Sequence, residues 1–103
     1  MAHKFILNNG FIKLGNVNYH EELAQDHNTT KGGGLWDMDE QNNILYLWGS
    51  SSEYGPAQPE DIEKCFKSVH AASVYRGYTI MHSEWLATYR PRAEKFKVVC
   101  IVP

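Results

Sequence analysis

The chain has no apolar run approaching the roughly 20 residues needed to span a bilayer as a helix. A membrane-spanning role is therefore not expected. Phe5-Ile6-Leu7, the first apolar stretch, is too short for the h-region of a secretory signal. Cysteine is scarce: Cys65 and Cys100 form no CxxC, which excludes a disulfide-dense scaffold or a zinc ribbon. Two reduced thiols suit a cytoplasmic protein. Basic charge is missing from the middle of the chain, where residues 20–63 carry ten acidic side chains against Lys31 alone. Nucleic-acid binding needs cations to neutralise phosphates, so no nucleic-acid partner is expected. Residues 84–103, with Arg90, Arg92, Lys95 and Lys97 against Glu84 and Glu94, are too weakly basic to reverse this. Internal repeats are absent.

Familiar catalytic patterns are missing too. His20-Glu21-Glu22-Leu23-Ala24 is not HExxH, because Ala24 stands where the second histidine belongs. His20 and His27 lack the Cys or carboxylate company of a zinc site. Asp37 and Asp39 fail the EF-hand spacing and read as turn residues. No glycine pattern matches GxGxxG or the Walker loop. Neither cysteine sits in an anion loop of its own, as a cysteine-based phosphatase requires. Neither a metal nor a cofactor is expected.

What remains is a globular composition, 43% hydrophobic and 21% charged, in 103 residues. That size and balance predict one domain, 1–103, with its own core. Lys4–Leu7 and Phe11–Leu14 flank Asn8-Asn9-Gly10, a strong hairpin signal because both turn residues tolerate positive φ. Asn18 with Glu21 three residues later fits a capping box and predicts a short helix from about Tyr19 to Asp26. His20 then falls in the first turn, where the helix dipole lowers its pKa and keeps the imidazole neutral. Leu35–Met38 and Ile44–Trp48 predict a second hairpin. Pro59 starts a helix with Ile62, Cys65, Phe66, Val69 and Ser73 on one face, and Gly77 supplies its stop. Tyr78–His82 and Phe96–Val102 read as strands, and Trp85–Tyr89 as a short helix. His70 and His82 carry no surrounding motif and read as structural. The expected fold is α+β: a mixed sheet of five or six strands with two main helices.

The most informative stretch runs from Gly32 to Ala57. Gly32-Gly33-Gly34 precede the hairpin, and Gly49-Ser50-Ser51-Ser52-Glu53-Tyr54-Gly55 follow its second strand. Glycine permits close backbone approach, successive N–H groups can form an anion-binding nest, and serine adds donors. The triple glycine, the block Trp48-Gly49-x-Ser51-x-x-Tyr54-Gly55-Pro56-Ala57, their separation and the upstream Tyr19-His20 pair together resemble the Janus (ocnus) family of phosphohistidine phosphatases.

The resemblance implies an α+β domain that hydrolyses phosphohistidine or a related P–N bond without a metal. It casts His20 as general base or nucleophile and Ser51, Ser52 and Glu53 as the phosphate loop. Tyr19 would orient the histidine. The family's opening strand is of type Phe-Lys followed by an apolar run, and its lysine helps hold phosphate. Here both Lys4-Phe5-Ile6-Leu7 and Phe96-Lys97-Val98-Val99 fit, so Lys4 and Lys97 are alternatives. Departures are a shorter connection after His20, a segment beyond residue 84 outside the family pattern, and a carboxylate at Glu53 inside the loop. The implied partner is a phosphorylated protein or a small phosphate or phosphoramidate. A non-catalytic phosphate- or phosphoprotein-binding module and a protein–protein interaction domain of the same fold remain open as alternatives.

Overall fold

A computed structural model describes residues 2–103. Six strands form one mixed sheet in the order β2-β1-β3-β4-β5-β6. They are β1 (Ala2–Asn8), β2 (Phe11–Val17), β3 (Thr30–Asp39), β4 (Ile44–Trp48), β5 (Thr79–His82) and β6 (Lys97–Ile101). Two helices, α1 (Pro59–Phe66) and α2 (Val69–Val74), connect β4 to its parallel neighbour β5. All other pairings are antiparallel. The α+β expectation holds, with a Cα radius of gyration of 12.4 Å, close to the ~13 Å of one compact domain of this length. Among the described residues no helix is long and apolar enough to cross a membrane.

Local chemistry accounts for the hairpins. Asn9 and Gly10 adopt φ of 54° and 82°, so β1 and β2 pair in continuous register from Asn8–Phe11 to Ala2–Val17. Alternation then sends Phe5 and Leu7 to one face and Lys4 and Ile6 to the other. The first face packs with Leu45, Leu47 and Ile80 beneath Ile62, Phe66 and Ala71 of the helices, in one buried cluster. Each leucine, isoleucine and phenylalanine among them contributes about 1.5–3 kcal/mol on burial.

Two helical expectations after β4 are revised. The periodicity from Pro59 towards Gly77 predicts one helix, but the chain breaks at Lys67-Ser68. Ser68 donates its hydroxyl to the Cys65 carbonyl and accepts the Ala71 N–H, at 3.0 and 3.1 Å. It thereby caps a new helix rather than continuing the old one. Val69, counted on the apolar face, is 88% exposed. Trp85–Tyr89 forms no helix. Its carbonyls serve the sheet instead: Trp85 accepts the Gly49 N–H and Ala87 accepts the Trp48 indole N–H, both at 3.0 Å. Arg90 reaches Asp37 at 3.0 Å and lies over the Tyr46 ring. Phe96 sets its edge against Tyr46 and Trp48. Residues 84–96 are therefore the cover of the second sheet face.

Candidate functional site

His20 lies in a single 3-10 turn, His20–Glu22, instead of a helix running to Asp26. Glu22, not Glu21, closes that turn: its Oε2 accepts the N–H groups of Asn18 and Tyr19 at 2.9 and 2.7 Å. Asp26 then caps a second short turn, His27–Thr29, through the Asn28 N–H. A side chain that bonds its own local backbone in this way ends a helix.

The turn drops the His20 ring onto β3. His20 is only 7% exposed. A Cβ on Gly33 would sit 2.4 Å from the Phe5 carbonyl oxygen and 3.1 Å from His20 Cδ2, so only glycine lets the ring approach this closely. Nε2 lies 2.8 Å from the Gly34 carbonyl oxygen. Nε2 and Cδ2 thus face the glycines, and the Nδ1 edge faces away from them. Tyr19, expected to orient the ring, makes no hydrogen bond to it and is 66% exposed; the Gly34 carbonyl has that task.

The His20 pKa is lowered, as expected, but for a different reason. Burial is the main cause, and the Lys4 ammonium adds to it. The Gly34 hydrogen bond and the Glu53 carboxylate oppose the shift. A single turn contributes little dipole.

The loop after β4 returns to the same place. Ser51 and Gly55 exchange two backbone hydrogen bonds, and the Gly55 carbonyl also accepts the Gly33 N–H at 3.0 Å. Gly32, at φ 102°, makes room for this return, since a Cβ there would meet the Pro56 carbonyl oxygen at 2.4 Å. The triple glycine is thus the seat for both the loop and the histidine. Ser51 is buried, and its Oγ accepts the N–H groups of Glu53 and Tyr54 at 3.2 and 3.0 Å.

These bonds narrow the set of donors. The Ser51 N–H is used by Gly55, and the Glu53 N–H by Ser51. The Ser52 N–H takes part in none of these bonds, and the Ser51 hydroxyl retains its own proton. A cleft of about 60 Å³ brings Ser51, Ser52 and Glu53 together with Lys4, Tyr19 and His20. Lys97 is not among its lining residues; it borders a separate cavity beside β6. Of the two alternative lysines, Lys4 on β1 is therefore the one that lines this cleft.

Three further residues, none of them assigned to the site from the sequence, lie at or beside it. Glu21 lines the cleft. Tyr54 Oη lies 2.7 Å from His27 Nδ1, which is also 3.4 Å from Glu53 Oε1. Contacts across so many residues depend on the loop's return, which no local pattern encodes. Among the described residues, no three His, Cys, Asp or Glu side chains gather as a metal site. Comparison of the chain with family models, with curated proteins and with solved structures finds no match in any of the three.

Proposed function

We propose that this protein is a metal-independent phosphoramidate hydrolase of the phosphohistidine phosphatase type. The observation carrying the proposal is the convergence of a buried, neutral imidazole with a lysine and a serine loop on one small cleft. The sequence resemblance to the Janus family points the same way.

In this reading the phosphoryl oxygens meet the Lys4 ammonium, the Ser51 hydroxyl and the Ser52 N–H. Fixed donors of this kind stabilise charge that grows on those oxygens in the transition state. His20 Nδ1 takes a proton from water as the water oxygen bonds to phosphorus. The P–N bond breaks, and the leaving nitrogen takes the proton that His20 had accepted, which returns the imidazole to its neutral form. Glu53 adds a like charge beside the phosphoryl group and opposes its binding. One second reading has a specific observation in its favour: four of the loop's N–H groups, those of Ser51, Glu53, Tyr54 and Gly55, are already engaged within the loop. A binding module without turnover would keep the anion site and lack the chemistry.

Turnover separates the two. Wild-type protein should hydrolyse a phosphohistidine peptide in EDTA, and His20→Ala and His20→Asn should abolish this with the amide spectrum retained. An asparagine amide cannot take the proton. Mutating His70 should leave activity intact. The rate should fall on acidification through the His20 pKa, below its ordinary 6.5. Phosphate binding without turnover selects the module; full activity in His20→Ala rejects the mechanism.

A further inference from the structure

A cavity larger than the His20 cleft lies elsewhere. A volume of about 630 Å³ opens between the first turns of α1, the end of β5 and β6. It falls within the range of roughly 300–1,000 Å³ typical of small-molecule sites.

Its floor is His82, 7% exposed, beside the buried Ser83. The His82 ring makes no hydrogen bond to any described residue. Yet among the described residues no sealed side-chain N or O lacks a partner. The ring nitrogens therefore reach the volume they line. Burial lowers the His82 pKa, with the Glu84 charge opposing, so the ring is neutral and offers one donor and one acceptor.

The walls carry opposite charges. Glu60 and Glu63 project from α1; Lys95 and Lys97 come from the other side, at β6 and the turn before it. No ion pair joins these lysines to these glutamates among the described residues; Glu63 reaches only Lys67, at 4.0 Å. The cavity holds the two signs apart. Trp85 is 46% exposed at its edge, with Lys95 Nζ 4.8 Å from the ring centroid.

We propose that this cavity binds a zwitterion of dipeptide size that carries an aromatic ring. Its carboxylate meets Lys95 and Lys97, its ammonium meets Glu60 and Glu63, and its ring packs on Trp85. His82 hydrogen-bonds the peptide group between them. An anion or a cation alone would satisfy one wall and be repelled by the other. This proposal is independent of the chemistry at His20.

The test uses glycyl-phenylalanine, its N-acetyl form and its C-terminal amide, titrated into the whole protein by NMR. The free dipeptide should give saturable shifts at the Trp85 indole N–H and the His82 ring at millimolar concentration. Each blocked form should bind about tenfold more weakly or worse, since each loses an ion pair. Lys97→Met should erase the preference for dipeptide over amide, and Glu60→Gln the preference over the N-acetyl form. His82→Phe, which fills the floor, should abolish binding. No saturable shift with the free dipeptide would overturn the proposal, as would equal binding of all three forms. Retained discrimination in both charge variants would overturn it as well.

Discussion

His20 Nε2 lies 2.8 Å from the Gly34 carbonyl oxygen, and because a carbonyl can only accept, the ring nitrogen donates. In the neutral ring that bond leaves the lone pair on Nδ1, on the edge turned away from β3. The triple glycine thus sets the tautomer of the histidine as well as its position.

Gly33→Ala tests that arrangement. The added methyl group meets the Phe5 carbonyl and the His20 ring. A stability loss of about 1–3 kcal/mol is expected, as for other overpacked cores. Urea denaturation measures it, and the His20 ring resonances should shift in the folded variant.

Ser51→Ala removes the acceptor of two N–H groups in a buried turn. Unsatisfied buried donors cost about 1–3 kcal/mol. The urea midpoint should fall accordingly, and the Glu53 and Tyr54 amides should exchange faster than in the wild type. Unchanged exchange at both would show that the hydroxyl does not hold the loop.

Lys4→Met should weaken phosphate binding, followed by the Ser52 amide shift, while Lys97→Met should leave it unaltered. Glu53→Gln should tighten it by about fivefold, the effect of removing roughly 1 kcal/mol of like-charge repulsion at a solvent-exposed site. A loss of affinity in Lys97→Met but not in Lys4→Met would move the anion site to β6.

Stability should depend on pH through His20 and His82. Burial holds both below 6.5 in the folded state. As pH falls through the unfolded value, the unfolded chain binds protons that the folded chain excludes, so stability is complete above that pH and declines below it. The decline ends once pH passes the folded pKa values. Tm followed from about pH 7.5 to about pH 5 should fall, and His82→Leu should flatten the curve. A Tm that rises on acidification would contradict the burial of both rings as neutral species.

Features decided by neighbouring residues were legible in the sequence. The Asn9-Gly10 turn follows from two residues that tolerate positive φ, and Pro59 from its fit at a helix start. The strands were legible as short apolar runs beside turn residues, which pointed to a mixed sheet with two helices. The direction of the His20 pKa was also foreseen, although burial rather than a helix dipole produces it. Apolar periodicity misled at Val69, because the Ser68 hydroxyl offered the backbone a competing partner. The short helix expected over Trp85–Tyr89 is absent as well, and the carbonyls of Trp85 and Ala87 are claimed by Gly49 and Trp48. Only the tertiary structure could decide which of Lys4 and Lys97 lines the cleft, since each lies beside a phenylalanine at the start of an apolar strand. The choice rests on which strand lies beside the Gly32–Gly34 segment, and β1 does while β6 is at the far edge of the sheet. Pairing of strands distant in sequence is set by how whole faces bury together, and no single stretch of residues carries that information.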